Sequence, residues 1–216
     1  MRGSWTPCAS GATLTFLLLA ASAAQAGVDG NLVLAAQSPK LVQTLREEKV
    51  VLDPPHGSSA HATRAFVIFE QPVDRVFELL SQSWRQREYR PEIESIETVA
   101  ELGDGTVDEH HMRIMFVEIQ YRLRNHRDPS ARRLSWELDP AFDNDLERVE
   151  GSWELFPFEG GRTLGVFGTV VEVSDRMPSF LQDYATRKNL PGTLERCRRW
   201  VDAGGRASHR RLGGND

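Results

Sequence analysis

The hydrophobic pattern changes period several times along this chain, and each change marks an element. Residues 12–24 are apolar almost throughout, follow a single Arg at position 2, and close on Ala24-Gln25-Ala26 before Gly27. The run is shorter than the roughly 20 residues a membrane-spanning helix needs. Its small-x-small ending has the form of a cleaved export signal. Residues 1–26 are therefore expected to be a signal peptide, with an uncleaved anchor as the alternative, and the protein is expected to work in the periplasm or as a secreted protein. Pro39 to Lys49 has the spacing of a short amphipathic helix, capped by Ser38 with Pro39 in its first turn. Val50–Leu52 reads as a short strand, and Asp53-Pro54-Pro55-His56-Gly57 breaks the pattern. Residues 27–59 form a preamble.

From Thr63 to Glu70 the residues are β-branched and aromatic, as in a strand. Val73, Val76, Phe77 and Leu80 then recur at helical spacing over residues 72–81. Trp84 to Tyr89 predicts a second short helix, ended by Pro91. Beyond it the period becomes two. Strands are predicted over Ile93–Ala100, Val107–Gln120 with a bend near Glu118, Tyr121–His126, Arg133–Leu138, Leu146–Phe156 and Arg162–Val173. Turn residues separate several of them, as in Gly103-Asp104-Gly105 and Glu159-Gly160-Gly161. Pro178 to Val201 returns to helical spacing, with Pro191-Gly192 placed to kink or break it in the middle. Residues 60–202 thus read as one α+β domain, and 203–216 as a disordered tail.

Composition narrows the function classes. The 216 residues carry 26 Lys and Arg against 31 Asp and Glu, a net charge of -5. Phosphate-backbone recognition calls for dense positive charge, so no nucleic-acid partner is expected. Two cysteines, one of them in the export segment, leave no internal disulfide in the mature chain. His110 and His111 are adjacent and point to opposite faces of a strand, while His56 and His61 lie in a polar segment. No metal site and no cofactor are expected.

The order of elements resembles the helix-grip fold of the START-like superfamily, which includes polyketide cyclase/dehydrase-like, lipid-transfer and coenzyme Q-binding proteins. The resemblance rests on A-F-V-I-F-E-Q-P-V-D-R-V-F-E-L-L at residues 65–80, on R-R-L-S-W-E-L-D-P at 132–140 with E-G-S-W-E-L-F-P-F-E-G-G-R-T at 150–163, and on the closing helical stretch from Pro178 to about Asp202. It implies a curved antiparallel sheet around a long C-terminal helix, with a deep apolar cavity between them. Such domains hold lipids, sterols, isoprenoid quinones or polycyclic aromatics, some as catalysts and many as carriers.

Within that frame, Met115, Trp136, Trp153 and Phe167 on strands, with Phe180 and Tyr184 on the last helix, are candidate cavity-lining residues. Methionine adapts to a ligand's shape, and aromatics supply area at small entropic cost. Alternation places Glu109, His111 and Arg113 on one face of their strand. If that face looks inward, the row could bind a polar head group or supply an acid or base. Trp84 and Tyr89 mark a candidate cavity entrance that could rest transiently on a membrane surface. The expected function is non-catalytic binding of a hydrophobic small molecule. A cyclase/dehydratase-type enzyme and an interaction protein with a collapsed cavity are the alternatives. The sequence assigns no oligomeric state.

Overall fold

The computed structural model describes residues 28–53, 62–174, 177–178, 180–183 and 189–206. The expected export segment, His56, His61, Tyr184 and the tail beyond Arg206 lie outside the described residues. Two short helices, α1 (Gly30–Ala35) and α2 (Pro39–Glu48), lead into strand β1 (Val50–Asp53). Ser38 caps α2 by accepting from the Leu41 N–H, with Pro39 in the first turn. Strand β2 (Ala62–Phe69), helix α3 (Val73–Leu80) and a 3₁₀ segment (Ser83–Glu88) follow. Then come β3 (Ile93–Leu102), β4 (Gly105–Ile114), β5 (Val117–Asp128), β6 (Arg133–Leu138), β7 (Leu146–Phe158) and β8 (Arg162–Val173), and after them α4 (Phe180–Asp183) and α5 (Leu190–Asp202).

The α+β class holds, but the curved sheet wrapped around one long C-terminal helix does not. The eight strands form an open antiparallel sheet in the linear order β1-β2-β8-β7-β6-β5-β4-β3, with β1 and β3 as its edges. The preamble contributes β1, which pairs along β2 and extends that side of the sheet instead of leaving β2 free to close it. The closing helical pattern is likewise divided. Of the expected kink or break at Pro191-Gly192, the structure shows a break: α5 begins at Leu190, with Pro191 in its first turn, where its missing N–H is harmless.

A second correction concerns the predicted strand over Val107–Gln120. It is two strands, joined by a two-residue loop at Met115-Phe116, with Met115 at a left-handed φ of 58°. The stretch Ile114-Met115-Phe116-Val117 is apolar throughout, so composition gave no sign of a turn.

Burial is two-sided at the β2 end of the sheet. Ala65, Val67 and Phe69 join Trp153, Leu155 and Phe167 beneath α3 and α5, while Phe66 and Ile68 join Phe156, Phe158 and Leu164 beneath α1 and α2. This explains the unbroken apolar run of β2, since a strand covered on both faces has no polar parity. At the β3–β5 end one face is covered, and alternation returns.

The sheet also accepts close approaches that only glycine permits. A Cβ at Gly151 would lie 2.4 Å from the Trp136 ring and 2.5 Å from the Gly168 carbonyl oxygen. Gly151→Ala should therefore lower stability by about 1–3 kcal/mol. An unchanged urea midpoint would mean that Trp136 does not lie against this strand.

The inner face of β4 carries an unusual core residue. His110 is fully buried and stacks on Tyr121, with centroids 4.9 Å apart and planes inclined by 11°. Neither ring nitrogen has a hydrogen-bond partner among the described residues. Burial, aided by the charges of Arg90 and His111, holds its pKa down at about 3, against 6.5 ordinarily. The neutral ring is therefore the folded form. The unfolded chain takes up a proton below about pH 6.5, and stability falls from there as pH drops toward 3. By pH 5 the loss attributable to His110 should be about 2 kcal/mol. Urea unfolding at pH 7 and pH 5 checks this: His110→Phe should lose less than the wild type by that amount, and equal losses would remove His110 as the cause.

Candidate functional site

The helices do not fill the space they enclose. Between the inner face of β4–β8 and α5 lies a cavity of about 220 Å³. Trp136, Trp153, Phe167, Leu123 and Val149 form its floor. Leu190, Thr193, Leu194 and Cys197 of α5 form the roof. Met112, Ile114, Ile119 and Leu181 line one end. The floor rings pack against each other, with Trp153–Phe167 centroids at 4.9 Å and Trp136–Phe167 at 5.7 Å. Gly165 lies beneath them, since a Cβ there would sit 2.8 Å from Phe69 and 3.0 Å from Trp153. The rings thus lie close to the sheet and leave space above.

Polar contacts along its rim fix α5 in this position. Asn189 donates to Glu92 Oε1 at 3.2 Å, and Arg196 Nε donates to the Tyr89 carbonyl at 2.9 Å. The Trp200 indole N–H donates to Glu88 at 2.9 Å. Asp202 accepts from the Glu70 backbone N–H at 2.7 Å and from Arg198 at 2.8 Å. The 3₁₀ segment is anchored in turn through fully buried Asp108, whose carboxylate accepts from Ser83, Thr98, Thr106 and Asn125. Each bond satisfies a group that would otherwise be desolvated at a cost.

Asn125, His126, Arg127 and Ser135 add polar groups to the lining, and a further polar stretch of wall is built around Arg90. Arg90 donates to Glu92 at 3.2 Å and to Gln86 at 3.0 Å, and both partners also line the cavity. Glu92 is buried, with Arg196 3.9 Å from its other oxygen. Burial pulls the Arg90 pKa down, but Tyr121, Glu92 and Tyr89 outweigh it and keep the guanidinium charged. Burial raises the Tyr89 and Tyr121 hydroxyls above their usual range, so both stay neutral. The Tyr121 hydroxyl lies 3.1 Å from Met112 Sδ. Cys197 is pushed up to about 12 by burial and is a protonated thiol, not a nucleophile. The result is a mainly apolar chamber in whose wall a fixed cation and neutral hydroxyls stand together.

The candidates from the sequence divide clearly. Trp136, Trp153 and Phe167 come together on the floor, and Tyr89 lies in the wall. Trp84 is 55% exposed against Arg85 and lies outside the lining. Phe180 packs beside Leu181, but it is Leu181 that faces the cavity. Met115 is displaced by the unforeseen hairpin and is 72% exposed at its tip.

Glu109, His111 and Arg113 are corrected as a group. Their face of β4 is the outer one, and Asp108, His110, Met112 and Ile114 point inward. Glu109 is bound there by Arg122, Gln120 and His111, and its hydrogen bond with Arg122 leads in lowering its pKa. Arg113 pairs with Glu94 and Glu118 on the surface. The physical reason is that charged groups with cross-strand partners are less costly on a wet face than in an apolar cavity. Sequence reasoning missed Arg90, Glu92 and Asn189. They sit outside regular periodic segments, and the charge around Pro91 reads as surface. Tyr121 and Met112 were legible as the opposite parity.

No family model matches the chain, and no curated protein matches it. Solved structures do. TTHA0849 from Thermus thermophilus is similar over 67% of this chain and 99% of its own, at 24% identity and a TM-score of 0.57. The Zhui aromatase/cyclase from Streptomyces matches 68% of this chain and 97% of its own, at 18% identity and a TM-score of 0.57. A STAR-related lipid transfer protein fragment from Xanthomonas axonopodis matches 70% and 92%, at 17% identity and a TM-score of 0.53. The chain therefore shares the helix-grip fold of these structures.

Proposed function

We propose that this protein binds and carries a small hydrophobic molecule bearing one polar acceptor group, outside the cytoplasm and without chemistry of its own. The observation that carries the reading is the apolar cavity under α5 with Arg90 in its wall. A dry apolar cavity of roughly 150 Å³ accepts benzene. By that scale about 220 Å³ suits a body of one or two fused rings, or a short branched chain. Leaving such a space empty costs on the order of 5 kcal/mol relative to a packed core. Filling it by a ligand would recover part of that, at about 0.8 kcal/mol per buried CH₂. Lipid, quinone or aromatic cargo of this kind agrees with the named relatives, one a lipid transfer protein and one an aromatase/cyclase. Export to the periplasm or beyond is proposed from residues 1–26 alone.

The cyclase-type reading is kept second because Arg90, Glu92 and Tyr121 converge on one stretch of wall. The carrier reading is favoured over it by the state of those groups. Glu92 is engaged by Arg90 and Asn189, the tyrosines are neutral, and the thiol is protonated.

Three variants test the site. Leu123→Trp should fill the chamber and abolish uptake of 2-naphthol in a fluorescence titration, while Met115→Trp, outside the lining, should leave it unchanged. Equal effects of both would place the ligand elsewhere. Arg90→Gln should weaken 2-naphthol by about 10-fold or more, as expected for a lost charge-assisted hydrogen bond, and leave naphthalene within about 3-fold. Equal losses for the two ligands would deny Arg90 its role. Conversion of a polyketide-like substrate by the wild type but not by Arg90→Gln would favour the enzyme.

A further inference from the structure

The β4–β5 hairpin ends in a feature that neither its own folding nor the cavity requires. Its loop is two residues long, Met115 and Phe116, between Ile114 and Val117. Two-residue hairpin loops favour Asn, Asp and Gly, because a positive φ is needed. Here Met115 occupies the left-handed region at φ 58°. Met115 and Phe116 are 72% and 73% exposed, more than any other large apolar residue described. The loop therefore holds two apolar side chains in water in place of residues that would suit its backbone better.

The surroundings identify what such a tip meets. It is a narrow projection, not a flat patch or a groove, so it has little area to offer a protein surface. The charges behind it form a closed set: Arg113 is held by Glu94 at 2.5 Å and by Glu118 at 2.8 Å. Among the described residues that collar has no unpaired cation to seek anionic phosphates, and it is polar enough to rest at headgroup level. The tip is also continuous with the cavity end. Phe116 lies against Phe180 of α4, with ring centroids 6.1 Å apart, and the neighbouring Leu181 lines the cavity with Ile114 and Ile119. Whatever holds Phe116 thus sits beside the apolar end of the chamber.

We infer that the Met115-Phe116 hairpin tip inserts into the surface of a neutral, zwitterionic lipid bilayer and brings the α4 end of the cavity against it. Apolar side chains projecting past a polar collar are the geometry of shallow interfacial insertion. The inference rests on the cavity reading for its cargo, but the contact itself does not. It also moves the expected membrane contact from Trp84 to the opposite end of the hairpin system.

The test uses the mature chain from Gly27, whose one cysteine, Cys197, is buried, so that an added cysteine is the reactive one. Phe116→Cys and, at the far end of β4, Gly103→Cys are each labelled with the polarity-sensitive dye NBD. On addition of phosphatidylcholine vesicles, the label at 116 should rise at least 3-fold in emission and shift to the blue, while that at 103 stays unchanged. Replacing a third of the lipid by phosphatidylserine should change apparent affinity less than 2-fold. In unlabelled protein, Met115→Ser/Phe116→Ser should weaken vesicle co-sedimentation by 10-fold or more.

Response at both positions, or at neither, would overturn the inference. So would a rise at 116 that depends on protein concentration without vesicles, which would mean contact between copies of the chain. Uptake of 2-naphthol in vesicle-free buffer by the double-serine variant reports on the cavity alone, so failure of the tip and failure of the cavity reading are distinguishable.

Discussion

Everything in this structure depends on holding α5 above the sheet without letting it collapse onto it. Protein interiors pack to crystal-like density, and an apolar helix over an apolar sheet face should close any gap. Here the approach is limited from both sides. The floor rings lie close to strands whose glycines leave them room, and the helix is held along its rim by Asn189, Arg196, Trp200 and Asp202. Those bonds satisfy groups that would be costly to bury unpaired, so closing the cavity would mean breaking several of them. The open space thus follows from polar contacts at its edges more than from the apolar residues that line it.

The same division of labour explains the electrostatics. The outer face of β4 and β5 carries cross-strand ion pairs such as Glu109–Arg122, and the inner face carries the unpaired imidazole of His110 and the four-donor carboxylate of Asp108. Most paired charges stay where water can reach them, and the buried Glu92 and Asp139 are each met by an arginine. The polar groups admitted to the interior are either neutral or fully hydrogen-bonded. Arg90 faces the chamber with its charge intact beside buried Glu92, which makes it the proposed anchor of the ligand.

Much of the fold was legible in the sequence because period-two alternation and turn residues are local signals. The α+β class, most of the strands and the aromatic floor of Trp136, Trp153 and Phe167 could be read that way. What could not be read was non-local. The pairing of β1 with β2, which keeps the sheet open and extended, depends on a contact between separate segments. The Met115-Phe116 loop carries no turn chemistry, so the strand was drawn through it. The inward parity of β4 was undecidable from its own residues, because both faces carry charge and histidine. Arg90 and Glu92 escaped for a further reason: their role arises from packing against α5, about a hundred positions away.

The account turns on whether the space under α5 receives an apolar ligand. Methyl NMR of the methionine-labelled protein, titrated with 2-naphthol, tests that directly, because two methionines on one hairpin lie on opposite sides of the question. Met112 lines the cavity, and Met115 is exposed at the tip. The account predicts a saturable shift of the Met112 methyl resonance with no movement of Met115. A saturable shift of Met115 with Met112 unmoved would contradict it.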